Sequence, residues 1–102
     1  MKTYKIIISE QARNDLKNLA IKITIDYNSP LTSKKYLDEI RLKINSLEHG
    51  AESYVIQTRP FYRQYGFNVR AIYYKKMTIV YLVVDNLVYI RAVIISDSIR
   101  GL

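Results

Sequence analysis

Residues 69 to 95 read VRAIYYKKMTIVYLVVDNLVYIRAVII, and this stretch decides the fold. Val, Ile and Tyr dominate it, and these residues favour the pleated, half-buried surface of a β-sheet. Lys75-Lys76 and Asp85-Asn86 interrupt the apolar runs, and Asn86 tolerates the left-handed conformation that a hairpin turn needs. The stretch therefore predicts antiparallel strands at Val69 to Tyr74, Met77 to Val84 and Leu87 to Ile95.

Two amphipathic helices are predicted before this sheet. Apolar side chains recur every three or four residues over residues 10 to 28 and again from Leu31 to Glu48, which is the spacing of a helix with one buried face. Ser9 offers an N-cap oxygen to the first helix, and Ser29-Pro30 suits the start of the second. Gly50 is expected to end the second helix with a positive φ. The short connection predicts a helical hairpin.

A short strand, Thr3 to Ile8, is predicted ahead of the helices, and Tyr54 to Gln57 has a strand-like composition after them. The order β-α-α-β-β-β is that of an α+β fold in which a helical hairpin packs on a mostly antiparallel, twisted sheet. At 102 residues the chain has the usual length of one domain, so a single domain is expected over residues 1–102.

Composition narrows the chemistry and the location. The chain has no cysteine, and its one histidine is His49, so disulfides and thiolate zinc sites are excluded and no metal or cofactor is expected. The apolar run Ile6 to Ile8 is too short for a signal peptide or a membrane span. A cytoplasmic protein without membrane contact is expected.

The net charge of +7 is concentrated after Thr58. Residues 1 to 58 hold nine basic and seven acidic side chains, whereas residues 59 to 102 hold seven basic and two acidic ones. Such an excess favours an anionic partner, either nucleic acid or an acidic protein. The basic residues of this half are the candidates for target binding: Arg59, Arg63, Arg70, Lys75, Lys76, Arg91 and Arg100.

Arg70 and Arg91 lie inside predicted strands, where a charged side chain between apolar neighbours has to be explained. Either they occupy the solvent face of a one-sided sheet, or they converge on one concave face, where forked guanidinium groups would grip phosphate. Tyrosines alternate with these arginines, and their rings suit either base stacking or packing in the sheet. Tyr81 is taken as a further binding candidate.

The order of short motifs resembles the RelE/ParE-type toxins of bacterial toxin–antitoxin pairs. The run Tyr4 to Leu16 is similar to the family's opening strand and its "A-x-x-D-L" helix, and the second helix is similar to the "I-x-x-x-I-x-x-L" segment. The sheet then carries an arginine strand, a strand ending near a tyrosine, and a "V-x-I" strand. The matching residues are Ala12, Asp15, Leu16, Ile40, Ile44, Leu47, Val69 to Ile72, Ile79 to Tyr81, and Val88 to Ile90.

The resemblance implies a toxin that an acidic antitoxin silences. The expected assembly is either a homodimer or a toxin–antitoxin hetero-oligomer. RelE-like members cut messenger RNA, commonly on the ribosome, whereas ParE-like members poison DNA gyrase. For a metal-independent endoribonuclease, Arg70 is the family's catalytic, phosphate-gripping arginine, and Arg70→Ala would relieve growth arrest without affecting folding. The antitoxin is expected to be a short acidic, amphipathic segment covering the basic sheet and part of the helical hairpin.

The end of the chain departs from the nuclease pattern. It reads ISDSIRGL over residues 95 to 102, without the terminal histidine or tyrosine that such nucleases often carry. Glu48 and His49 offer either a base or a helix-end cap. These differences favour a ParE-like toxin, and the alternative is a non-toxic, degenerate member that acts as a basic protein- or RNA-binding module.

Overall fold

The computed structural model describes residues 2–96, and the predicted α+β architecture is confirmed. A helical hairpin packs on one face of a four-stranded sheet, and short 3₁₀ helices connect the two. The helices and strands are β1 (Lys5–Ile8), α1 (Glu10–Tyr27), α2 (Pro30–Asn45), β2 (Arg70–Tyr74), β3 (Met77–Val84) and β4 (Leu87–Ile95). The 3₁₀ helices are Ser46–Glu48, Ala51–Ser53 and Pro60–Tyr65.

The strand order is β1-β4-β3-β2, so the first strand of the chain lies beside the last. β1 pairs with β4 in parallel, and the other pairs are antiparallel. The β3–β4 register shifts once, since Val80 lies opposite Ala92 whereas Tyr81 lies opposite Ile90. Arg91 is therefore the extra residue of a β-bulge.

The predicted helix starts are confirmed. The Ser9 hydroxyl accepts a hydrogen bond from the Ala12 amide at 3.1 Å, and the Ser29 hydroxyl accepts one from the Thr32 amide at 3.1 Å. Each bond satisfies one of the backbone donors left free at a helix N-terminus. Asn28 ends α1 in the left-handed conformation, with φ of 50°, so the chain reverses within two residues.

Two predicted turn residues are wrong. α2 ends at Asn45, and Gly50 has a φ of −150° rather than a positive one. In the β3–β4 turn the left-handed residue is Asp85, with φ of 55°, and not Asn86. Asp tolerates this conformation for the same reason as Asn, because its short polar side chain bonds locally.

Tyr54 to Gln57 does not form the strand that its composition suggests. The segment makes one antiparallel bridge, between Ile56 and Arg70, and one hydrogen bond, from the Gln57 amide to the Val69 carbonyl at 2.8 Å. It therefore lines only the beginning of β2.

Both faces of the sheet are partly covered. The face under the helices carries the larger core, which includes Leu16, Leu19, Ile40, Ile44, Ile72, Ile79, Val88 and Ile90. On the opposite face, which we call the back face, the 3₁₀ helix Pro60–Tyr65 lies over a smaller cluster of Tyr62, Val69, Ala71, Val80 and Ala92. Burial of apolar area on both faces stabilises the sheet.

Two side chains at the start of α1 attach it to β4. The Ser9 hydroxyl, besides capping α1, donates to the Arg91 carbonyl at 3.2 Å. The Asp15 carboxylate accepts a hydrogen bond from the Val93 amide at 2.9 Å. Both contacts lie on β4 just beyond Ile90, where the pairing of β4 with β1 ends.

Removing the Asp15 carboxylate should destabilise the chain, because the Val93 amide would lose its partner in a partly buried position. We expect Asp15→Ala to lower the free energy of unfolding by about 1–3 kcal/mol. Asp26→Ala, which removes an exposed carboxylate paired with Lys22, is the matched control and should cost at most about 1 kcal/mol. Urea unfolding measures both, and equal midpoints would show that the Asp15 bond is not structural.

Candidate functional site

Arg70 lies at the start of β2, and its guanidinium is held by backbone carbonyls. Nη1 donates to the carbonyl of Glu52 at 3.0 Å and to that of Tyr54 at 2.6 Å. The side chain is half-buried on the face of the sheet that carries the helices, beside Tyr81 in the register. Arg70 therefore fastens the segment 52–54 to the edge of the sheet.

Tyr81 is part of the core. Its side chain is 0% exposed, its hydroxyl donates to the Ala51 carbonyl at 2.6 Å, and the ring of Tyr54 packs edge-on against it at 6.5 Å between centroids. Burial raises the pKa of Tyr81 well above its usual value, although the nearby Arg70 charge opposes this. The ring is inaccessible to a partner in this structure, which argues against the predicted direct contact with a target.

Glu52 supplies a carboxylate next to Arg70 that the sequence did not single out. The Tyr4 hydroxyl and the Lys2 ammonium both donate to its Oε1. These two hydrogen bonds, with smaller contributions from the Lys2 and Arg70 charges, lower the pKa of Glu52. Glu52 is therefore a stable carboxylate at neutral pH.

Arg91 lies on the other side of the sheet. As the extra residue of the bulge it turns toward the 3₁₀ helix Pro60–Tyr65, and its Nε donates to the Tyr65 carbonyl at 3.1 Å. Tyr65 packs on the cluster of the back face. Arg70 and Arg91 therefore do not converge on one face.

The remaining basic candidates are dispersed. Arg59 and Arg63 are exposed on the back face at the 3₁₀ helix Pro60–Tyr65, and Lys76 is exposed in the β2–β3 turn. Lys75 is engaged with α2, since its ammonium lies 3.5 Å from the Glu39 carboxylate and over the rings of Tyr36 and Tyr74. Arg100 lies outside the described residues.

The helical hairpin carries a groove that the sequence did not reveal. It has a volume of about 520 Å³ and an apolar floor that includes Leu16 and Leu37. Its rim is basic, with Arg13, Lys17, Lys34 and Arg41, against the single carboxylate of Asp38. The charge count along the chain did not predict this rim, because acidic residues elsewhere on the helices offset its positive charge. The detectable signal was the spacing of Arg13 and Lys17, which puts both on one helix face.

Residues 2–96 lack two kinds of feature. No group of three or more His, Cys, Asp and Glu side chains in this part of the chain is placed to hold a metal ion. None of the helices in the same range combines the length and apolar character needed to cross a bilayer.

The β-α-α-β-β-β order, with a helical hairpin on one face of a four-stranded mixed sheet, defines the class of small α+β proteins to which the chain belongs. The family model of the ParE toxin of type II toxin–antitoxin systems, parDE, matches residues 6–98, and the chain belongs to this family. No curated protein matches the chain. A solved structure titled as the chromosomal ParDE toxin–antitoxin system from P. aeruginosa has the same fold, with a TM-score of 0.75 at 13% identity over 91% of this chain and 96% of that one.

The two carbonyl bonds of Arg70 predict a loss of stability in Arg70→Ala. We expect the free energy of unfolding to fall by about 1–3 kcal/mol, because hydrogen bonds from a charged donor are stronger than neutral ones. Arg63→Ala, at an exposed position, should change it by no more than about 0.5 kcal/mol. Urea unfolding decides, and an unchanged midpoint in Arg70→Ala would mean that its guanidinium is free for a ligand.

The raised pKa of Tyr81 predicts a loss of stability in alkali. The folded chain keeps this phenol protonated, whereas the unfolded chain releases its proton near pH 10. The unfolded state then binds fewer protons, so stability should fall as the pH rises above about 10. Tyr81→Phe should flatten this decline in urea unfolding from pH 9 to 11 more than Tyr27→Phe, which removes an exposed ring. Equal declines in the two variants would contradict the assignment.

Proposed function

We propose that this toxin arrests growth by binding DNA gyrase, as ParE-like toxins do, and not by cutting messenger RNA. The observation that carries the proposal is the position of Arg70, whose Nη1 is occupied by the carbonyls of Glu52 and Tyr54. In a metal-independent ribonuclease this guanidinium would face the scissile phosphate and stabilise the charge that develops there. Here it stabilises the fold of the chain itself.

The acid–base groups around Arg70 also favour binding over cleavage. A general base works best with a pKa near the operating pH, but the pKa of Glu52 is lowered by its bonds to Tyr4 and Lys2. The Tyr81 hydroxyl is buried and donates to the Ala51 carbonyl. Neither group is adjusted to take a proton from a ribose hydroxyl.

Messenger RNA cleavage is the second candidate, and one observation favours it. Arg59, Arg63 and Lys76 are exposed, and such cations attract the phosphate backbone of RNA. Cleavage would then require Arg70, whose Nη1 is bonded to the segment 52–54, to reach the scissile phosphate through its other donors.

We also propose that the cognate antitoxin docks an acidic amphipathic helix in the groove between α1 and α2. The apolar floor, which includes Leu16, Ala20 and Leu37, suits the apolar face of such a helix. The rim cations Arg13 and Lys17 suit carboxylates along its border. The groove therefore matches this partner in both apolar character and charge.

A paired assay tests the choice of target. The purified chain is added to gyrase in a supercoiling reaction and, in parallel, to a translation reaction whose messenger RNA is mapped by primer extension. We expect inhibited supercoiling and intact messenger RNA. New cleavage sites in the message, with gyrase unaffected at high toxin excess, would reject gyrase as the target.

Charge reversal on the groove tests the antitoxin site. Lys17→Glu should weaken the affinity for the cognate antitoxin by about tenfold and reduce its salt dependence, since one favourable charge pair becomes repulsive. Lys35→Glu makes the same change of charge at an exposed position of α2 that does not line the groove, and it should have a much smaller effect. Equal affinities of the two variants in calorimetric titrations would place the antitoxin elsewhere.

A further inference from the structure

Three polar side chains from two elements lie together on the back face of the sheet. Ala71 belongs to the cluster of this face, and side chains alternate along a strand, so Tyr73 lies on the same face. Tyr62 is part of the cluster and lies on the 3₁₀ helix Pro60–Tyr65. The first turn of this helix places Arg59 next to Tyr62, since the Tyr62 amide donates to the Arg59 carbonyl at 3.1 Å.

The Tyr62 hydroxyl is buried without a hydrogen-bond partner. The side chain is 1% exposed, and no group within residues 2–96 bonds to its hydroxyl. Burial raises the pKa of Tyr62, the neighbouring Tyr73 phenol raises it further, and the charge of Arg59 lowers it. Buried hydroxyls in proteins are nearly always bonded, so the position of this one beside Tyr73 and Arg59 has to be explained.

The neighbouring Tyr73 connects this hydroxyl to the surface, because its side chain is 56% exposed. A phenol oxygen accepts a hydrogen bond as well as donating one. A small rotation would let Tyr62 donate to the Tyr73 oxygen, and the Tyr73 proton would then be available to a group outside the chain. Each bond in such a series strengthens the next. The two phenols therefore form a donor pair that lacks its final acceptor.

The surrounding charge shows that this acceptor is an anion. Arg59 is exposed and has no carboxylate partner in the described part of the chain. Residues 53 to 84 contain five basic side chains and no carboxylate. The donors come from a 3₁₀ helix and a strand, so they approach an anion from different directions. A phosphate group offers three acceptor oxygens to such donors, whereas a carboxylate offers two in one plane.

We propose that Arg59, Tyr62 and Tyr73 form a binding site for one phosphate group. The Arg59 guanidinium and the Tyr73 hydroxyl donate to phosphate oxygens, and Tyr62 is a positioning residue that donates to the Tyr73 oxygen. The site lies on the opposite face of the sheet from the helical hairpin and its groove. The phosphate belongs either to a nucleic-acid backbone or to a free nucleotide or phosphate ion, and these two sources are separated by experiment.

The test uses the full chain with ¹³C-labelled tyrosine rings and ¹⁵N-labelled arginine side chains. Inorganic phosphate is titrated at constant ionic strength, and the ring signals of Tyr62 and Tyr73 and the Nε signal of Arg59 should shift together. Acetate, the carboxylate control, should bind at least roughly fivefold more weakly, because it offers fewer acceptors. Equal binding of acetate and phosphate would overturn the proposal.

Tyr62→Phe separates a ligand role of the hydroxyl from a structural one. Because this hydroxyl lacks a partner in the free chain, its removal should leave the urea midpoint unchanged or raise it, yet weaken phosphate binding roughly fivefold. Tyr27→Phe, which removes an exposed hydroxyl from α1, should change neither quantity. A lower urea midpoint in Tyr62→Phe would show that the hydroxyl is already bonded, and an unchanged affinity would place it outside the site. Either result overturns the proposal.

A pair of charge variants separates a defined site from diffuse attraction. Arg59→Gln should weaken phosphate binding roughly tenfold, because it removes a charged donor. Arg63→Gln makes the same change at an exposed position of the same 3₁₀ helix and should weaken binding by about twofold at most. Equal losses in the two variants would overturn the proposal.

Two further ligands identify the source of the phosphate. A thymidine tetranucleotide without a terminal phosphate is compared with thymidine 5′-monophosphate in the same titration. Tighter binding of the tetranucleotide assigns the site to a nucleic-acid backbone, and the reverse order assigns it to a free nucleotide. Unchanged Tyr73 signals with both ligands and with inorganic phosphate would overturn the proposal.

Discussion

The attachment of α1 to β4 is the contact on which the rest of the fold depends. Ser9 is the residue between β1 and α1. Its hydroxyl both caps α1 and donates a hydrogen bond to the Arg91 carbonyl. Two turns later Asp15 accepts a hydrogen bond from the Val93 amide, which lies beyond the end of the β1–β4 pairing at Ile90 and would otherwise lack a partner. These bonds fix the direction in which α1 leaves the sheet, and α2 follows because only a short turn joins the helices.

The bulge on β4 also determines on which face of the sheet the Arg91 side chain lies. With one extra residue in the strand, Arg91 turns to the back face while Ile90 stays in the core beneath the helices. Arg70 is held on the opposite side by the carbonyls of Glu52 and Tyr54. The two strand arginines thereby lie on opposite faces of the sheet, and each donates to the backbone of a segment packed on its own face.

Much of the fold was predictable because its signals are local. The caps at Ser9 and Ser29 and the tight turns of the β2–β4 meander depend on neighbouring residues, and each lies where it was predicted. The errors came where two conformations are locally similar. Asp85 took the left-handed position expected of Asn86, and Tyr54 to Gln57, with the composition of a strand, lacked a neighbour to pair with over its length.

The sequence by itself determined the elements, their order, the resemblance to the RelE/ParE toxins and the basic character of the second half, because these depend on residue type and spacing. Only the tertiary structure decided that β1 lies parallel to β4 and that the Arg70 guanidinium donates to backbone carbonyls. It also decided that Tyr81 is buried and that Arg13 and Lys17 border a groove. Each of these depends on contacts between residues far apart in the chain, and periodicity carries no information on which distant groups meet.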